Sequence, residues 1–462
     1  MSQWQQERRG NVGMMGQQAG NQERLFYSFN LEEHVPADHL LRGIDRFLDL
    51  SALRRELTGF YSHTGRPSID PELMVRMLII GYCFGIRSER RLCEEVHLNL
   101  AYRWFCRMGL EDQVPDHSTF SKNRHGRFRE SGAFRHVFET VVQRCIAEGL
   151  VGGEGFAVDA SVVRADASRA RSIEPAVAKS DPSQATRAVT DYLAALEASG
   201  SSIPSQVSLT DPEARWTAAP AGPAVFAYST NYLVDVDAGI IVDVEATPAI
   251  RSAEVDSARS MLERVEERLH LKPERLIGDT AYGAAPMLGW LVEQKNIEPH
   301  VPVWDKSERT DGTISRAEFK FHPEQDRYEC EGGKYLTSTG RATSDGTLLY
   351  RASTTDCQRC ALKARCCPNT PYRKIPRSVH ESSRDIARAL ANTDAYRNSR
   401  KERKKVEMLF AHLKRILKLD RLRLRGRAGA EEEFLLAATA QNLRRMAKWL
   451  VPRSAIWKVA PA

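Results

Sequence analysis

Apolar residues recur along the chain with two different periods. From residue 31 to about 150 the spacing is helical. "SIDPELMVRMLIIGYCFG" opens with Asp70-Pro71, a cap followed by proline at the first helical position, and predicts a buried helix. "SERRLCEEVHLNLAYRWFCRMGL" predicts one helix over 88–110 that starts at Ser88, with Leu92, Val96, Leu100 and Trp104 in a single stripe. At 155 the pattern alternates. In "GFAVDASVV", Phe156, Val158, Ala160 and Val162 share one strand face, and Ala157, Asp159, Ser161 and Val163 the other. Two strands joined around Asp237-Ala238-Gly239 come next, then an amphipathic helix, "SAEVDSARSMLERVEERLH". "PERLIGD" is a short strand ending at Asp279, "APMLGWLVEQKN" a helix and "IEPHVPVW" a strand. A long helix from about 395 to 418 buries Val406, Leu409, Phe410, Leu413, Ile416 and Leu417, and a last helix comes after Gly429.

The 462 residues exceed what one core usually holds, so several units are expected. The element order predicts an α/β core, β-β-β-α-β-α-β-α, interrupted by insertions and preceded by an all-α N-terminal domain. Residues 1–22, rich in Gln and Gly, read as a disordered tail. The helical domain takes 23–150 and the first part of the core 151–304. Within that part, 165–224 is an Ala/Ser/Pro-rich linker or insertion with one short helix in "ATRAVTDYLAALEA" and turns at "SSIPS" and "AAPAGPA". A cysteine-bearing insertion covers 305–395, the C-terminal part of the core 396–450, and a tail 451–462.

Net charge is +7 and uneven. Residues 396–427 hold 13 Lys and Arg against Glu402, Glu407 and Asp420, a local +10 that leaves −3 for the rest. Such a segment suits a polyanion, with a solvated helix face as the ordinary alternative. After the 88–110 segment, "HSTFSKNRHGRFRE" begins a further helix with Lys122, Arg124, Arg127 and Arg129 at its front. Helix, turn and basic helix resemble a helix-turn-helix DNA reader, a pattern many helical hairpins share. The most apolar run, 73–86, is too short to cross a bilayer and contains Arg76, so no membrane partner is expected. Nine cysteines without a leader predict reduced thiols and a cytoplasmic protein. Cys357 and Cys360 have the spacing of half a zinc site, with Cys366 a third ligand and Cys330 a fourth; packed free thiols are the alternative. Trp216 and Trp304 are candidates for stacking on a DNA base, with packing as the plainer role.

Three acids stand out by position. Asp159 falls mid-strand, where aspartate is disfavoured. Asp279 ends an apolar run and could equally cap the helix after it. Glu407 borders the buried stripe of the long helix, with Arg400, Arg403 and Lys414 on its own face. Each alone reads as a cap or an ion pair. Their order on first strand, fourth strand and late helix resembles the RNase H-like core of DDE transposases. More narrowly, Arg403, Glu407 and Lys414 are similar to the Tyr-x2-Arg-x3-Glu-x6-Lys signature of bacterial insertion-sequence transposases, with Arg400 at the tyrosine position and Tyr396 one turn earlier. "GDTAYG" is similar to that family's Asp-x-Gly/Ala-x-Tyr/Phe motif, "AVDAS" to its first-Asp strand, and the helical 31–130 region to its N-terminal domain.

This resemblance implies that Asp159, Asp279 and Glu407 are catalytic and hold two Mg²⁺ or Mn²⁺ ions. The reaction would be cleavage at element ends and strand transfer. The partners would be terminal inverted repeats and target DNA in the bacterial nucleoid, bound by a homodimer. Arg403, Lys414 and Arg400 would meet phosphates near the cut, with Arg421 and Arg423 further out and Lys122, Arg124 and Arg127 on the N-terminal domain. An RNase H-like nuclease or resolvase is the first rival, and a catalytically defunct DNA-binding relative the second.

Overall fold

The computed structural model describes residues 29–61, 68–218, 223–305 and 312–450. The tails read at 1–22 and 451–462 lie outside the described residues, as does most of the "AAPAGPA" turn.

The N-terminal region is helical throughout. Asp70 caps Pro71–Phe84 by accepting from the Glu72 and Leu73 amides, and Gly85 closes it in the left-handed region at φ 69°. The 88–110 segment is two helices, Glu89–Leu98 and Leu100–Phe105, not the single one its spacing predicts. Asn99 divides it: its backbone is extended and its side chain accepts from the Ala101 and Tyr102 amides, starting a second helix. Leu92, Val96 and Trp104 are buried, but Leu100 turns outward.

A mixed sheet comes next in the chain. Its strands run Ile240–Pro248, Val225–Asp235, Gly155–Arg164, Arg275–Ile277 and Glu298–His300 in spatial order, and Arg215–Thr217 pairs with the start of Val225–Asp235. Val225–Asp235 is antiparallel to both its neighbours, Ile240–Pro248 and Gly155–Arg164; Gly155–Arg164, Arg275–Ile277 and Glu298–His300 are parallel. The helix Arg251–Leu269 crosses between Ile240–Pro248 and Arg275–Ile277, as the pattern predicts. The two late helices are Asp394–Arg415 and Gly426–Leu450. On the first, Val406, Leu409 and Leu413 are buried as expected, while Ile416 is exposed because the helix has already ended.

Two side units leave this core. Residues 165–224 are more than a linker: Ile173, Ala178, Val189, Leu193 and Val207 bury one another beneath the helix Arg187–Ala198. The second unit is a five-stranded antiparallel sheet in the order Lys374–Ser378, Thr347–Ala352, Tyr335–Thr337, Arg327–Glu329, Lys320–His322, with its own small core. The helical region and the mixed sheet share one continuous core, from Val35 to Ala447. Gly426–Leu450 explains this, since Phe434, Leu436, Ala438 and Leu443 are all buried and meet helices of the first region and the strand Ile240–Pro248.

Candidate active site

Strand register places the first two acids. Gly155–Arg164 and Arg275–Ile277 pair in parallel with Ala157 opposite Ile277, so two residues further along each chain stand Asp159 and Asp279. Neighbouring strands lie about 4.8 Å apart, which sets Asp159, in mid-strand, beside Asp279, just past the end of the neighbouring strand. Asp159 is partly buried. Its Oδ1 accepts from the Ala160 amide (2.9 Å) and its Oδ2 from Arg403 Nη2 (3.2 Å). Burial pushes its carboxyl above the ordinary range, against the pull of Arg403. Asp279 also caps the turn Thr280–Gly283, accepting from the Ala281 amide at 2.7 Å.

The loop beyond Asp279 is shaped by close approach. A Cβ on Gly283 would lie 1.9 Å from the Pro302 carbonyl, and one on Gly278 would meet the Tyr282 ring at 2.9 Å. Tyr282 is thereby packed beneath the acids, and burial together with the charges of Asp159, Glu254 and Asp279 pushes its hydroxyl upward.

Glu254 is the residue the sequence did not single out. It lies in the first turn of Arg251–Leu269, accepts from Ser229 Oγ at 2.6 Å, and has its carboxyl raised by burial and by the charges of Asp279 and Asp159. Its pattern is that of one acid among several on an amphipathic helix, and only the fold brings it to the aspartates.

Glu407 lies on an exposed face of Asp394–Arg415. Arg403, one turn before it, reaches Asp159, and Lys414, two turns after it, donates from Nζ to the Val162 carbonyl at 3.0 Å. The face bearing all three therefore runs along Gly155–Arg164, with Glu407 between two anchors. Its side chain is exposed and makes no hydrogen bond or ion pair among the described residues. Among those residues, no three His, Cys, Asp or Glu side chains stand in a ready-made arrangement for a metal ion.

The basic candidates divide. Lys122, Arg400 and Arg423 are exposed. Arg421 is exposed but bonds Asp166 at 2.9 Å, beside Arg425. Arg127 is held by Ser68 Oγ (2.6 Å) and Asn123 Oδ1 (2.7 Å) over the Tyr61 ring. Arg124 is a correction: it is buried, bonded to Glu89 and to the Tyr82 hydroxyl at 3.1 Å each, so it is part of the packing and presents nothing to DNA. Trp216 packs on Phe226, whereas Trp304 is half-exposed.

Asp159 and Asp279 thus stand on adjacent parallel strands beside a basic helix. Two family models match the chain: Transposase domain (DUF772) over residues 29–126, and Transposase DDE domain over 329–447. Both on one chain in this order support its likeness to the insertion-sequence DDE transposases. No curated protein matches it. Among the described residues no helix is long and apolar enough to cross a membrane.

Proposed function

We propose that the core is RNase H-like and that the protein cuts DNA at the ends of its element and joins those ends to target DNA, in a metal-dependent reaction. The observation that supports this best is the pairing of Asp159 and Asp279 on adjacent parallel strands beneath a helix pinned along the first strand by Arg403 and Lys414.

The donor set fits a hard divalent cation: carboxylate oxygens only, with the partly buried charge of Asp159 compensated by a single guanidinium. Asp159, Asp279 and Glu407 would hold Mg²⁺ or Mn²⁺, two ions on this reading. When bound, such ions supply activation of the attacking hydroxyl and stabilisation of the leaving oxygen. The chain's own residues orient and bind. Asp279 is fixed by the Ala281 amide and Asp159 by the Ala160 amide, so neither carboxylate swings freely. Arg400 and Arg423, both exposed, are placed to bind DNA phosphates, as is Lys122 on the helical region. The DNA is double-stranded and carries the element's terminal repeats; two copies of the chain would hold its two ends.

Purified protein, DNA from both flanks of its gene, target plasmid and Mg²⁺ provide the test, read on a product gel. Joined products from wild type, and none from Asp159→Asn, Asp279→Asn or Glu407→Gln, are expected. Cleavage without joining would favour a nuclease, and a fully active variant would remove that residue from the site.

A further inference from the structure

We propose that the inserted β-unit holds one structural zinc ion through Cys330, Cys357, Cys360 and Cys366. Three separate turns bring these thiols together. Cys330 leaves the strand Arg327–Glu329 into a tight turn, its amide donating to the Lys334 carbonyl (2.9 Å) and its carbonyl accepting from Gly333 (2.8 Å), with Gly333 at φ 67°. Ser353 caps the short helix Thr354–Gln358, and the Cys360 amide then returns to the Cys357 carbonyl at 3.3 Å. The helix Lys363–Cys366 ends as the Cys366 amide donates to Leu362 at 2.9 Å.

The cysteines surround one cavity. A Cβ added to Gly332 would lie 3.4 Å from Cys360 Sγ and 3.7 Å from Cys330 Sγ, so thiols 30 residues apart in sequence flank one spot. Cys357 and Cys366 both contact the thiol of buried Cys367. All five line a single cavity of about 30 Å³ whose other walls include Ile314, Phe319 and Leu336. That is room for one water or one ion, and apolar walls offer water few partners. Without an ion the sulfurs are not yet convergent.

Charge and stability both fit. Four thiolates around Zn²⁺ carry a net −2, and the same cavity is lined by three bases, Lys334, Lys363 and Arg373, against two acids, Glu331 and Asp356. Arg373 also ties the wall together, donating to the Cys366 carbonyl at 2.8 Å and the Ile314 carbonyl at 2.7 Å. The unit's own core comprises Ile314, Phe319, Tyr328, Leu336, Tyr350, Ala352 and Ile375, few residues for a self-standing sheet, and small units of this kind commonly gain stability from a metal. None of the nine cysteines is in a disulfide.

The full chain, purified without chelator and dialysed against Zn²⁺, would be analysed for metal by mass spectrometry. About one zinc per chain is expected. It should be lost in the double variant Cys357→Ser/Cys360→Ser and in Cys366→Ser, and kept in Cys367→Ser and in Cys93→Ser, whose thiol lies in the helical region. Should the variants not fold, Co²⁺ substitution of the wild type decides, through a thiolate charge-transfer band. No zinc in the wild type, no such band, or zinc retained in the double variant would overturn the site; zinc lost in Cys367→Ser but kept in Cys366→Ser would overturn the ligand assignment.

Discussion

A carboxylate half-buried in mid-strand is costly unless something pairs with it, and among the described residues Asp159 has only Arg403 and one amide for this. Its conflict with the strand pattern made it visible in the sequence, as the abrupt end of an apolar run did for Asp279. Glu254 had no such mark. It sits on an amphipathic helix among other acids, and its role depends on where Ser229 and the aspartates fall in space. Glu254→Gln keeps the size and removes the charge, and is expected to slow joining about 10- to 100-fold, the usual range for residues supporting a metal site. An unchanged rate on the product gel would exclude Glu254. Arg124 shows the converse limit, because a buried Arg with partners 35 and 42 residues away looks like a surface base in sequence. Gly283 makes a sharper prediction. With a Cβ 1.9 Å from the Pro302 carbonyl, Gly283→Ala should cost about 1–3 kcal/mol or more in urea unfolding, as overpacking does. Wild-type stability would mean that this loop has room the structure does not show.

The helix Asp394–Arg415 is the element on which the site depends, and its contacts set its position more than its propensity does. The basic stripe and the Glu407 spacing were legible; the anchors were not, since they come from distant strands. Ser399 bonds buried His300 Nδ1 at 2.7 Å, and His412 is on the helix itself. Burial lowers the pKa of both. Glu298 and Glu402 oppose this at His300 while Arg275 adds to it, and Arg444, Arg445 and Lys448 add to it at His412. The folded chain therefore keeps these rings neutral while the unfolded chain protonates them near the ordinary value of about 6.5. Stability should hold above that pH and fall as the pH drops through it. Melting curves from pH 7.5 to 5.5 should show this loss, and His300→Gln should flatten it. A loss of equal size in the variant would show that His300 is not a source of it.

Across the whole molecule, one short acidic run joins the last helix to the helical region and the mixed sheet. Glu431 pairs with Arg135 and accepts from the Ala246 amide, Glu432 pairs with Arg129, and Glu433 pairs with Arg87 and accepts from the Arg423 and Leu424 amides at 2.6 Å. The helical region is thus bonded through buried charge to the helix that comes after the Glu407 helix. The composition shift at 155 suggested two separate units, but the residues across this seam belong to one core. Glu433→Gln should cost about 3–5 kcal/mol, because it leaves Arg87 buried without its partner. Denaturant unfolding followed by probes in both regions should still show one transition, shifted lower; two separate transitions would contradict a shared core. The central question is what this assembly does to DNA. The most direct measurement places a selectable marker between the DNA flanks of this gene, supplies the protein in trans in recombination-deficient cells, and scores relocation. Relocation is predicted with the wild type and none with Glu407→Gln. Equal relocation by both proteins would contradict the catalytic role of Glu407, and no relocation by either would contradict the transposase reading of this chain and its flanks.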